Sequence, residues 1–203
     1  MKSLVRPERI ARLAPRERIL DAAEDLFFRE GISRVTVEDI AAQAESTKMT
    51  VYRHFESKEL LVLAWLHLLV AHYTAAFEEI ARQHPNDAHA QLLATAEFVA
   101  AGLSTTAYRG CPFVNSLAEL PDDAHPARQF IEAHKQNQFK RLARLCQEAN
   151  LAAPLEVAQE LTYLLEGAQI VAQNKALPNV AENLLRMVRR QLDTAPRVSE
   201  KAA

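Results

Sequence analysis

Glycine is scarce in this chain of 203 residues, with only 4 (Gly31, Gly102, Gly110, Gly167). That scarcity disfavours turn-rich β architecture and excludes glycine-rich phosphate loops such as G-x-G-x-x-G or a Walker motif. The 2 cysteines, Cys111 and Cys146, are far apart and give neither a disulfide framework nor zinc spacing. The 7 histidines (His54, His67, His72, His84, His89, His125, His134) include no pair at i, i+3 or i, i+4, so neither a metal nor a cofactor is expected. The longest apolar run, from Leu60 to Ala71, is broken by His67 and is too short to span a bilayer. The N-terminus is charged rather than apolar, so no secretory signal is read, and a cytoplasmic protein without membrane attachment is expected.

What is present is helix-forming. Ala, Leu, Glu, Gln and Arg dominate, and 49% hydrophobic with 25% charged residues is a globular balance. The expected fold class is all-α, with about nine helices. Net charge is only −2, which excludes a uniformly basic nucleic-acid binder. Its distribution is uneven, however. Lys2, Arg6, Arg9, Arg12, Arg16 and Arg18 face only Glu8 and Glu17, giving residues 1–18 a net charge of +4. Such an arm can lie along phosphates or reach a minor groove, or it can be a solvated tail. Arg16 and Arg18, close to the first helix, are the better candidates for phosphate contact.

Proline, glycine, asparagine and aspartate divide the chain into helices. The first is expected from Pro15 to Glu30, with Gly31 as a left-handed C-terminal cap. Its apolar stripe is Ile19, Ala22, Ala23, Leu26 and Phe27, at i, i+3, i+4, i+7 and i+8. That stripe should seat two short helices through Val37, Ile40, Ala41, Val51 and Phe55. A long helix follows Ser57 and reaches about His84; it is apolar almost all round from Leu60 to Val70, so it must lie between layers. Further helices fit residues 88–104, 112–120, 126–150, 154–173 and 178–193, with a frayed tail from Thr194.

Residues 35–55 read as a helix-turn-helix, with one apolar face to seat it and a polar tip to enter a DNA major groove. Thr36 can cap the first short helix, with Asp39 in capping-box position, and Thr47 can cap the second. From Arg16 to Leu61 the chain resembles the N-terminal domain of TetR-family transcriptional repressors. The matching pieces are Arg18-Ile19-Leu20-Asp21-Ala22-Ala23, Leu26-Phe27, Gly31, Thr36-Val37, Ile40-Ala41, Thr50-Val51-Tyr52-Arg53-His54-Phe55 and Ser57-Lys58-Glu59-Leu60. Gly110-Cys111-Pro112-Phe113-Val114-Asn115, then Glu119-Leu120-Pro121 and His125-Pro126, resemble one branch of that family. Glu45 departs from the pattern by standing where the turn usually has Gly, and Ser46 where a small apolar residue packs. Positive φ at Glu45 would cost roughly 1 kcal/mol.

The expected organisation is a basic arm (1–14), a DNA-binding domain (15–60), an effector-binding and dimerisation domain (61–193) and a tail (194–203). DNA contacts are expected from Arg16, Thr36, Thr47, Lys48, Met49, Thr50, Tyr52, Arg53, His54 and Lys58. Lys48 can pair with guanine O6/N7 and Met49 can touch a thymine methyl. Tyr52 and His54 suit the DNA backbone, as the resemblance implies. Lys58 is a cation in the first turn of a helix, a position that a phosphate would compensate. Trp65, Leu69, Tyr73, Phe98, Tyr108, Phe113, Phe130, Phe139 and Tyr163 are candidates to line an effector pocket. Cys111, Asn115, His134, Gln138, Glu166 and Gln169 are its polar candidates; core packing is the commoner explanation of such residues.

Cys111, at the N-cap of the helix opened by Pro112 and near Arg109, has two features that favour thiolate and so suits a sensor of electrophiles or oxidants, while Cys146 reads as structural. The last two long helices carry apolar residues on more than one face, which a homodimer would cover, and a two-fold double-stranded DNA operator requires a dimer. The function implied is a homodimeric regulator, most simply a repressor, that leaves a palindromic operator when a small molecule binds. It is not expected to be an enzyme. Two rival readings are a helical thiol enzyme using Cys111 and a helical ligand-binding protein that has lost DNA function.

Overall fold

The structure, a computed structural model, describes residues 13–105 and 108–198, and the basic arm up to residue 12 lies outside the described residues. Among the described residues there are nine α-helices and no strand: α1 (Pro15–Glu30), α2 (Val37–Gln43), α3 (Lys48–His54), α4 (Lys58–Gln83), α5 (Ala88–Leu103), α6 (Pro112–Glu119), α7 (Pro126–Glu148), α8 (Pro154–Gln173) and α9 (Val180–Thr194). Proline opens α1, α6 and α8 at a first-turn position, where its missing N–H costs nothing. Gly31 ends α1 at φ 89°, ψ 162°, beyond the left-handed region expected of a cap and reached readily only by glycine. α9 starts at Val180 rather than Pro178 because Asn179 takes a left-handed conformation, φ 55°.

Two compact units are present. One holds residues 13–72 together with Cys111–Glu132, that is α1, α2, α3, the first part of α4, α6 and the opening of α7. Residues 61–72 and α6 fold with the N-terminal helices in this unit. The core of this unit is the expected α1 stripe, Ile19, Ala22, Ala23, Leu26 and Phe27, buried with Val37, Ile40, Ala41, Val51 and Phe55. α4 contributes Leu61, Val62, Trp65 and Leu66, all at most 2% exposed. At 26 residues α4 is longer than its uninterrupted apolar run, and by length and composition it could cross a membrane. The covered face just named is the alternative reason for its apolar character.

α6 is tied into the same unit by its C-terminal carboxylate. Glu119 Oε2 accepts the Ser33 backbone N–H at 2.6 Å, joining residues 86 apart in sequence. Arg128, at the opening of α7, donates to the carbonyls of Leu117 and Leu120 and pairs with Asp123 and Glu132.

The other unit holds the described residues of Tyr73–Gly110 and those from Ala133 to 198. α5, α8 and α9 pack on one another, with α7, around Leu92, Ala96, Leu145, Leu161, Leu184, Val188 and Leu192. The segment after α9 is held where fraying was expected. Ala152 N–H donates to Pro196 O at 2.8 Å and Val198 N–H to Asn150 O at 2.9 Å, which ties the described part of the tail to the α7–α8 connection.

Candidate nucleic-acid interface

The helix-turn-helix is built by capping at both starts and a strained turn between them. Thr36 Oγ1 accepts the Asp39 N–H, and the Asp39 carboxylate accepts the Thr36 N–H and hydroxyl, which completes the capping box read from the sequence. Those bonds hold the Asp39 carboxyl below its ordinary value. α2 ends in a Schellman arrangement: Ser46 N–H reaches Ala41 O and Glu45 N–H reaches Ala42 O. It requires positive φ at Glu45, observed at 49°, so a side chain sits where glycine would be unstrained. Thr47 then caps α3, its Oγ1 accepting the Thr50 N–H at 3.1 Å.

α3 has seven residues, and Val51 is its one fully buried residue, so the helix rests on the core by a single main anchor. Met49 is 82% exposed and Tyr52 42%. Lys48 and Arg53 are also exposed, while Thr50 and His54 are half-buried. Lys48 is already engaged: Nζ pairs with Glu38 Oε1 on α2 and lies 5.9 Å from the centre of the Tyr52 ring. The hydrogen bond to Glu38 raises the ammonium pKa, so the charge is firmly held. Arg16 is exposed at the start of α1, with its guanidinium 5.0 Å over the Phe55 ring. The His54 Nε2 is buried with no hydrogen-bond partner among the described residues. Lys58 is half-buried at the start of α4, where Ser57 Oγ accepts the Leu60 N–H; burial pushes its pKa down, against Glu59 and Glu119. Exposed cations beside an exposed methionine on a short, capped helix can reach phosphates and base edges at once.

The residues expected to line a pocket divide between the two units. Trp65, Leu69, Cys111, Phe113, Asn115 and Phe130 belong to the unit of the helix-turn-helix. There Trp65 packs on Phe27 at 5.2 Å, under α1, and Phe130 packs on His67 at 4.2 Å. In the other unit Tyr73, Phe98 and His134 do come together, with ring centres 5.7 and 6.2 Å from Tyr73, and Phe77 joins them. Tyr163 is 74% exposed on α8, so it lines no enclosed site, and Glu166 is paired with Lys135 at 2.7 Å. Tyr108 and Phe139 pack on the core of that unit, and Gln169 caps back onto Leu165 O.

Cys111 is the N-cap of α6 as expected, but it is 3% exposed, and burial closes a thiol to a dissolved reagent. Cys146 is fully buried, with its thiol pushed up to about 11, and neither cysteine is in a disulfide. Glu38, Phe77 and Arg141 were not singled out from the sequence, and Glu119 figured there only within the branch motif. Only Glu38 had a local signal, its place on α2 facing a lysine ten positions on.

A capped, all-helical helix-turn-helix with an outward cationic tip defines a DNA-binding protein. Residues 19–65 match the model of the bacterial regulatory proteins of the tetR family. The crystal structure of SCO4454, a TetR-family transcriptional regulator from Streptomyces coelicolor, is similar with a TM-score of 0.84 at 30% identity, over 89% of this chain and 95% of that one. The HTH-type transcriptional regulator YjdC of Escherichia coli is 24% identical over 181 residues, 86% of this chain and 95% of its own length. TtgR of Pseudomonas putida, also an HTH-type transcriptional regulator, is 43% identical over 51 residues, 25% of this chain and 24% of its own length. The chain belongs to the TetR family and is a DNA-binding transcriptional regulator.

Proposed function

We propose that this regulator is a cytoplasmic homodimer that represses transcription from a palindromic operator and releases it when a small molecule binds. The observation that carries the DNA reading is α3 itself, seated mainly by Val51 with Lys48, Met49 and Arg53 turned outward. Lys48 and Met49 read base edges. Thr47, Thr50, Tyr52, Arg53, His54, Arg16, Thr36 and Lys58 fix the register through phosphates. Two such helices must enter successive major grooves, about 34 Å apart, which one chain with one helix-turn-helix cannot do.

The second copy is seated on α8. Leu155 (61% exposed), Tyr163 and Ile170 (43%) follow one another along that helix, and a Cβ built on Gly167 between them would meet nothing within 4 Å. A stripe of exposed apolar residues with a glycine gap suits close packing of one helix on its copy, joined by α9. α4 runs through both units, with Tyr73 and Phe77 in one and Lys58 in the other, so an effector held among α4, α5 and α7 acts along a single helix on the DNA contacts. It does so only if it binds the DNA-incompetent form more tightly.

Sedimentation equilibrium of the wild type and of Tyr163→Asp/Ile170→Asp tests the dimer. A dimer converted to a folded monomer is the expected result, together with loss of operator binding by more than about 100-fold. An unchanged dimer would move the interface elsewhere.

A further inference from the structure

Arg141 lies on α7 with its guanidinium 4.3 Å over the centre of the Phe77 ring. Its Nη1 donates to Thr95 Oγ1 at 3.3 Å. Thr95 is 3% exposed and its hydroxyl is fixed by donating to Gln91 O at 2.7 Å, so the acceptor lone pair it offers Arg141 is held in place. A guanidinium has five N–H donors, and one bond to a neutral hydroxyl leaves most of them unused.

The two other part-covered cations of α7 each have a carboxylate. Arg128 has Asp123 and Glu132, and Lys135 has Glu166. Arg141 has none within ion-pair distance among the described residues, and the charge that acts on it is a further cation, Arg144. A half-buried cation facing aromatic rings without an anion is costly, and the deficit is removed by an anion that arrives from outside.

The rings around it add the second half of the specificity. Tyr73 and Phe77 of α4 each meet Phe98 of α5 edge to face, at 5.7 and 5.8 Å, and lie tilted to one another at 6.3 Å. His134, one α7 face with Arg141 at i, i+7, completes the cluster at 6.2 Å from Tyr73. All six residues fall in the same compact unit.

We propose that Arg141, oriented by Thr95 and flanked by Tyr73, Phe77, Phe98 and His134, anchors the carboxylate of a planar aromatic monoacid, and that this is the chemical class of the effector. It rests on the effector-responsive reading above. The carboxylate takes a bidentate pair of N–H donors, and the ring of the ligand joins the edge-to-face cluster. One carboxylate is the limit, because Lys135 is already neutralised by Glu166.

Calorimetric titration of the full chain with 2-naphthoate and with the neutral isostere 2-naphthamide tests this. Wild type should bind the acid saturably and at least about tenfold more tightly than the amide. Arg141→Met should bind the two equally, and Arg141→Lys, which keeps the charge without the planar fork, should fall between. Equal affinities in the wild type, no saturable binding of 2-naphthoate at millimolar concentration, or an acid preference that survives in Arg141→Met would each overturn the assignment. The acid against amide comparison stands on the wild type alone, should Arg141→Met not fold. Operator binding measured in the same samples separates the two ideas. Acid binding through Arg141 that leaves DNA bound removes the effector role, whereas intact DNA binding without acid preference removes only the anion site.

Discussion

Lys48, the proposed reader of a base edge, is a residue already in use. Its ammonium is bound to Glu38 and lies near the Tyr52 ring, so contact with a guanine or a phosphate exchanges one partner for another. An exposed ion pair of this kind contributes little to stability, and its effect falls on binding. Glu38→Gln should tighten DNA binding and steepen the dependence of log K on log salt by up to about one unit, because one more lysine becomes available to displace counterions. A salt titration of Kd that leaves the slope unchanged would show that Glu38 does not restrain Lys48. His134 carries a different expectation. Burial, with Lys135 adding, pushes its pKa from 6.5 down to about 4. The unfolded chain takes up a proton near 6.5 and the folded chain only near 4, so the unfolded state binds more protons in between. The contribution is therefore fully present above pH 6.5 and is lost as pH falls toward 4. Tm should drop between pH 7 and pH 5, and His134→Gln should drop less; equal drops would place the sensitivity elsewhere.

The elements whose bounds were legible are those whose ends are chemically marked. Pro15, Pro112, Pro126 and Pro154 open four helices where expected, and Thr36 and Thr47 cap α2 and α3 as read. Capping and φ restriction act within four residues, so a sequence displays them. The tie between Glu119 and the Ser33 N–H acts across 86 positions and has no local mark. The grouping of α6 with the N-terminal helices therefore went unread, and so did the burial of Cys111, whose N-cap position alone was visible. Gly31 reports the same tie from its other side: a Cβ built there would lie 2.6 Å from Glu119 Oε1, at a φ of +89°. Gly31→Ala should destabilise by roughly 1–3 kcal/mol, from backbone strain and the clash together. Adding Glu119→Ala should recover the steric part, so that thermal unfolding of the four proteins of this cycle shows non-additivity. Strictly additive losses would mean that the two residues do not press on each other.

For the whole molecule, the helix-turn-helix tip was more legible than the proposed effector site. The residues of α3 sit together because a seven-residue helix keeps them together. The pocket candidates, mostly aromatic with a few polar residues, lie on several helices, and packing sends Trp65 to Phe27 and Phe130 to His67 while gathering Tyr73, Phe98 and His134. Arg141, between Lys140 and Arg144, reads in the sequence as part of a solvated face, and only the fold sets Phe77 and Thr95 beside it. The central claim is that α3 of a dimer reads a two-fold DNA site. Selection of bound sequences from a random duplex pool, with wild type beside Lys48→Ala, tests it most directly. A palindromic motif in the wild type, with the preference at one base pair of each half-site relaxed and affinity lowered roughly 10- to 100-fold in Lys48→Ala, is the expected result. No enriched motif in the wild type, or the same motif at full strength in Lys48→Ala, would contradict it.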